Sequence, residues 1–156
     1  MDQSPRPPLL VEKTVLPDVH VAYIRYTVVS GQSNFASINA CFGRVRDWLR
    51  RRGLQPSAFL TIGASRFEGT PPVYDCCVQV PQDIEHGDGE VQIQDLPGGR
   101  YAVLSIRKEP AIIGETLRRF YHEYVPQNKL KIDAGRLTYE IYDESAMRYC
   151  VPLMEV

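Results

Sequence analysis

The sequence predicts an α+β fold. It reads as a tandem βαββ repeat with pseudo-twofold symmetry, an antiparallel sheet with two helices on one face, and a central ligand groove. Three observations predict this. Segments rich in β-branched and aromatic residues alternate with two segments of helical period, and the order strand, helix, strand, strand occurs twice. Short residue matches also recur at one constant offset, Leu16-Pro17 against Leu96-Pro97 and Ala22 against Ala102, so two copies align without a gap. Finally, 156 residues is the usual length of one domain with one core.

Taken in order, residues 1 to 9 are polar and carry prolines at positions 5, 7 and 8, the composition of a flexible lead-in. A single domain is expected over residues 10 to 156, its first half about 10 to 82 and its second about 90 to 156. Val19 to Val29 reads as a strand ending at Ser30-Gly31. Phe35, Ile38, Phe42, Val45 and Leu49 recur at three- and four-residue steps, predicting a helix capped by Ser33 or Asn34 and stopped at Gly53. Strands follow over Phe59 to Phe67 and Tyr74 to Val80, with a turn over Gly69 to Pro72. Asp83 to Gly89 has the composition of a solvated connection. In the second half, Ile113, Leu117, Phe120, Tyr121 and Tyr124 mark a helix that stops at Val125-Pro126. Leu137 to Tyr142 and Tyr149 to Leu153 read as the last strands.

Composition narrows the function classes. With 44% apolar residues, 24% charged residues and a net charge of −1, the chain has neither the bias of a disordered tail nor the basic excess of a nucleic-acid reader. Its densest basic stripe, Arg44, Arg46, Arg50, Arg51 and Arg52, falls toward a helix C-terminus, where cations complement the helix dipole. No run has the length of a signal-peptide core or a membrane span, so a cytoplasmic location with no membrane partner is expected. Cys41, Cys76, Cys77 and Cys150 show no CxxC spacing and read as small buried residues, with no metal and no cofactor expected.

The repeat is broken at one charge. Aligning Leu60 to Ser65 with Leu137 to Tyr142 puts Glu140 where the first half has Gly63. The two-residue period of a strand turns Glu140 and Tyr142 to one face and Tyr139 and Ile141 to the other. Tyr139 and Ile141 suit the helix-packed side, which leaves Glu140 and Tyr142 to the inter-half groove. A carboxylate there needs a proton or a counter-charge. An organic cation would supply one, with tyrosine faces adding cation–π attraction. Alternatively, an arginine such as Arg25, Arg107 or Arg148 pairs with Glu140.

Three segments in register over roughly residues 10 to 155 carry a family resemblance. Tyr74-Asp75-Cys76-Cys77-Val78-Gln79-Val80-Pro81, Leu96-Pro97-Gly98-Gly99-Arg100-Tyr101-Ala102-Val103 and Tyr139-Glu140-Ile141-Tyr142 resemble successive signatures of GyrI-like domains. That family includes gyrase-inhibitory proteins and the effector-binding domains of AraC-type and MerR-type regulators. The resemblance implies a groove for bulky lipophilic cations with a strand glutamate at its floor, here Glu140. From strand position, Tyr26, Tyr101 and Tyr142 are candidate aromatic wall residues, and Trp48 is a candidate at the pocket edge. No helix-turn-helix is expected ahead of the domain, so it would act as a stand-alone binding protein or on a regulator in trans. Two other functions are carried by the resemblance: hydrolysis of cyclopropane-bearing toxins, with Glu140 catalytic, and a protein-interaction role with DNA gyrase as partner.

Overall fold

Residues 8–66 and 72–154 are described by the computed structural model. Eight strands form one antiparallel sheet: β1 (Leu10–Leu16), β2 (Val19–Thr27), β3 (Thr61–Ser65), β4 (Val73–Gln79), β5 (Gln92–Leu96), β6 (Gly99–Arg107), β7 (Thr138–Tyr142) and β8 (Ala146–Pro152). Two helices, α1 (Phe35–Arg51) and α2 (Pro110–Arg119), interrupt them. The spatial order is β1-β6-β8-β7-β3-β4-β2-β5, which puts β3 and β7 side by side in the middle. The predicted turn over Gly69 to Pro72 lies outside the described residues except for Pro72, as does most of the lead-in expected over residues 1 to 9.

Two strands were not expected. β1 pairs with β6 and β5 pairs with β2, so each edge strand lies against a strand of the other half. Both are marked by polar residues, Glu12 and Lys13 in β1 and Gln92, Gln94 and Asp95 in β5, which suits edges that must not recruit further strands. The Leu16-Pro17 and Leu96-Pro97 pairs stand where these edge strands end.

The sequence of α1 explains both its length and its packing. Cys41, Phe42, Val45, Trp48 and Leu49 are buried, and they join Ala22 and Ile24 of β2 and Cys76 and Val78 of β4 in one core cluster. Fully burying a side chain such as Val45 or Leu49 contributes about 1.5–3 kcal/mol. Gly53, at φ +75°, ends the helix: its N–H reaches the Arg50 carbonyl and the Leu54 N–H reaches the Leu49 carbonyl, the paired bonds of a Schellman stop. Asn34 stands at the N-cap position without a capping bond, because its side chain instead holds the Val29 backbone and accepts the Tyr26 hydroxyl.

The second helix departs from the prediction. After α2 the chain makes a π turn over Phe120–Tyr124 and a last helical turn over Val125–Gln127, passing Pro126 instead of stopping before it. A proline has no N–H for the preceding turn, and a wider turn accommodates the loss. Phe120, Ile113 and Leu117 pack on Ala102, Leu104, Met147, Tyr149 and Val151 of β6 and β8.

Cross-strand register sorts the two faces. Ile24, Cys76, Gly63, Glu140, Tyr149 and Leu104 are successive partners across the sheet and share the helix face. Tyr139 and Ile141 belong to the opposite face, in a cluster with Val21, Tyr23, Ile62, Cys77, Tyr101 and Val103. This corrects the expectation that Tyr139 and Ile141 face the helices. The opposite face needs no helix because it is closed by its own aromatic residues. Tyr139 stacks on Tyr101 at 5.4 Å and donates to the Pro97 carbonyl, while Tyr101 donates to that of Leu137. The four cysteines are buried free thiols.

Candidate functional site

Because β7 is central and alternates, Glu140 and Tyr142 emerge together on the helix face, where they border a cavity of about 740 Å³. That is the size of a pocket for a drug-sized molecule. Helix α1 forms one wall with Phe35, Ile38, Phe42 and Arg46, the stretch after it adds Phe59, and the sheet contributes Tyr74, Glu140 and Tyr142. Lys108 approaches from the β6–α2 connection, and Asp143 and Glu144 from the β7–β8 turn. On the α2 side Tyr149 stands directly across from Glu140, and its hydroxyl meets that of Tyr121 in the π turn at 2.8 Å.

At the floor, three polar groups form a chain. The Tyr142 hydroxyl donates to Glu140 Oε2 at 3.1 Å and lies 3.1 Å from the Tyr74 hydroxyl. Each phenol has one proton, so with Tyr142 donating to Glu140, Tyr74 donates to Tyr142. Gly63 makes this possible. It lies directly across β3 from Glu140, and a Cβ at that position would overlap the Tyr74 hydroxyl and ring. Without the Cβ, Tyr74 reaches from β4 over β3 to the β7 side chains. Phe42 meets both tyrosines edge-on, with ring centroids 6.2 Å from Tyr74 and 6.1 Å from Tyr142.

Burial sets the electrostatics. It pushes the Glu140 carboxyl above its ordinary range, and the hydroxyls of Tyr142 and Tyr74, which favour the ionised form, only partly offset this. The same burial, reinforced by the Glu140 charge, pushes Tyr74 and Tyr142 upward and keeps them neutral donors. No described cation is among the groups acting on Glu140. Of the three arginines considered as partners, Arg25 is bidentate on Asp75 at 2.8 and 2.9 Å. Arg148 pairs with Ile141 and so belongs to the other face, and Arg107 stands opposite Ala146 at the end of β6. With aromatic rings around it and no cation acting on it among the described residues, such a partly buried carboxylate can stabilise a ligand cation.

The other expected wall residues lie elsewhere. Tyr101 is on the opposite face of the sheet. Tyr26 is absent from the cavity lining and donates to Asn34 beside the start of α1. Trp48 is 2% exposed, donates to Asp88 at 2.9 Å and lies under the Arg52 guanidinium at 3.6 Å. It is a core residue of α1 away from the cavity. Sequence reasoning overlooked Tyr74, Phe35, Phe59, Arg46 and Lys108 as lining residues. Phe42, one of the residues that mark the helical period of α1, serves both core and cavity.

Comparison with known proteins fits this arrangement. The GyrI-like small molecule binding domain matches residues 11–153. No curated protein matches the sequence significantly. Among solved structures, the EcmrR C-terminal domain superposes with a TM-score of 0.68 at 12% identity, covering 95% of this chain and 99% of that one. The SAV2435 protein bound to tetraphenylphosphonium gives 0.63 at 12%, covering 93% and 94%. A hydrolase from Listeria innocua gives 0.61 at 8%, covering 96% and 94%. At such identities these likenesses speak to the fold, whereas the domain match spans nearly the whole chain. The chain therefore belongs to the GyrI-like family of small-molecule-binding domains.

Proposed function

We propose that this domain binds bulky lipophilic organic cations in the cavity between α1 and the sheet, with Glu140 as the counter-charge. The observation that carries this reading is a partly buried carboxylate at the cavity floor whose near partners among the described residues are two neutral tyrosine hydroxyls. Phe42, Tyr74 and Tyr142 supply ring faces and edges for the apolar body of a ligand, and a cation over such a ring gains about 0.5–2 kcal/mol. That the SAV2435 structure holds tetraphenylphosphonium supports this choice of ligand class. Calorimetric titration of the wild type and Glu140→Gln with tetraphenylphosphonium tests it. Micromolar binding that weakens at least about ten-fold in Glu140→Gln is expected, a difference of about 1.4 kcal/mol. Equal binding by both proteins, or none by either, refutes the role of Glu140.

A hydrolytic reading of the same site is favoured by one observation. A carboxyl raised by burial beside a phenol that donates to it is the arrangement of a general base with a neighbouring acid. Water would add to one carbon of a strained ring, giving a proton to Glu140. The ring C–C bond would break with its carbon protonated by Tyr142, and Glu140 would then return the proton to the Tyr142 oxygen through their hydrogen bond. Mass-spectrometric product analysis with a cyclopropane-bearing substrate decides it: turnover absent from the wild type eliminates this reading.

A further inference from the structure

The cavity carries fixed positive charge as well as Glu140. Arg44, Arg50 and Arg52 on or just after α1 each donate to a carboxylate, of Glu90, Asp47 and Asp88 respectively. Arg46, which lines the cavity and is partly buried, has no carboxylate partner among the described residues; its guanidinium lies 5.7 Å from the Phe42 ring centroid. Lys108, exposed at the mouth, forms no close ion pair among the described residues, and its ammonium lies 5.6 Å from the Tyr142 ring centroid. The two ring faces most useful to a ligand cation are thus already approached by cations of the chain itself. Nearby acids offset Lys108 in part: Asp143, fixed by the Ser145 and Ala146 N–H groups as the cap of its own turn, is held ionised by those bonds and feels the Lys108 charge. Glu144 is exposed at the rim. A simple cation entering would be attracted by Asp143 and Glu144 at the rim and by Glu140 at the floor, and repelled on the α1 side by Arg46.

We propose that the preferred ligand is dipolar, a lipophilic cation that also carries a carboxylate or similar anion, with its cationic centre at Glu140 and its anion between Arg46 and Lys108. This rests on the cation-binding reading above and narrows its substrate class. A guanidinium offers a planar pair of donors that matches a carboxylate, and partial burial strengthens the pairing. Within the stripe, Arg50 also lines the cavity but is paired with Asp47, and Arg51, which is not a lining residue, donates to the Asp47 backbone carbonyl; Arg46 is the lining arginine whose charge no described carboxylate meets.

Rhodamine B and its ethyl ester test this, since they share the same xanthylium cation and rings and differ in one free carboxylate. Fluorescence anisotropy titrations would be run on wild type, Arg46→Gln, Lys108→Met and Glu140→Gln, with circular dichroism to establish that each variant is folded. The wild type is expected to bind rhodamine B about ten-fold more tightly than the ester, corresponding to one charge-assisted contact. Arg46→Gln and Lys108→Met should each reduce that preference while still binding the ester, and Glu140→Gln should weaken both dyes. Tighter or equal binding of the ester by wild type overturns the dipolar ligand and leaves the cation reading standing. A preference that survives in both Arg46→Gln and Lys108→Met overturns the assigned anion site. Binding of neither dye overturns both readings.

Discussion

Gly63→Ala is the smallest change that separates the geometry of the floor from its charge. A Cβ on residue 63 would occupy the space of the Tyr74 hydroxyl and the adjoining ring carbon, so the ring must swing away from β3 and lose its bond to Tyr142. Overpacking of this kind costs about 1–3 kcal/mol. Against it stands a gain of about 0.5–1 kcal/mol, because alanine loses less chain entropy than glycine in a strand. The net expectation is a destabilisation of about 1–2 kcal/mol, read from urea unfolding midpoints. Repeating the substitution in a Tyr74→Ala background removes the obstacle, and there Gly63→Ala should stabilise by about 0.5–1 kcal/mol. The difference between the two backgrounds is a coupling of roughly 1–3 kcal/mol, well above the additivity error of distant sites. If Gly63→Ala changes stability equally in both backgrounds, Tyr74 does not occupy the space above Gly63 and the account of the floor is wrong.

The raised Glu140 carboxyl carries a sign that can be checked. Between its ordinary value and the raised folded value the native state holds more protons, so its contribution to stability falls as pH rises through that window. Unliganded Glu140→Gln should therefore be at least as stable as wild type at pH 7, with the gap closing in acid. Thermal melts at several pH values show it. Cation binding should follow the opposite course and fade on acidification before ordinary carboxylates titrate. His20 provides a second window. Its two ring nitrogens contact the Ile84 carbonyl and Asp95, each at 2.6 Å, and these bonds raise its pKa, the Ile84 bond foremost. Stability from His20 is complete below the ordinary histidine value and is lost as pH rises through the folded one, a loss that should be absent in His20→Gln melts. Trp48→Phe removes the bond to Asp88 and the Arg52 contact, and should lower stability by about 1–2 kcal/mol in urea unfolding. Tetraphenylphosphonium affinity should be unchanged, because Trp48 is not a lining residue.

What was legible in the sequence was what a local period encodes. The stripe of Phe35, Ile38, Phe42, Val45 and Leu49 gave α1, and strand alternation gave the shared face of Glu140 and Tyr142. What was not legible depends on contacts between distant strands. Nothing local says whether Tyr139 or Glu140 faces the helices, because both faces of this sheet are buried and one is closed by tyrosines rather than by a helix. Tyr74 lay within a segment used for the family resemblance. Its reach into the cavity, however, follows from an absent side chain on a neighbouring strand, which sequence spacing cannot reveal. Tyr26 and Trp48 had the right residue type for a pocket wall, but their polar atoms are committed to Asn34 and Asp88. The π turn escaped because Phe120, Tyr121 and Tyr124 fit a helical period as well as a wider one.

The break in the sequence pattern at Gly63 and Glu140 also has a physical reason once the two are seen as cross-strand partners. A glutamate at both positions would place two carboxylates at directly opposed sites, where side chains stand about 5 Å apart, in a partly desolvated groove. Like charges so placed cannot both ionise, and the second would take up a proton at neutral pH. A pair holding one proton still carries one negative charge, so the second carboxylate would add volume without adding attraction for a cation. It would also fill the gap that Tyr74 crosses to reach Tyr142. One carboxylate opposite one glycine keeps the full charge and frees room for an aromatic ring. On this argument Gly63→Glu should weaken cation binding despite the added acid, whereas a purely electrostatic site would bind more tightly. Titration of that variant with tetraphenylphosphonium distinguishes the two.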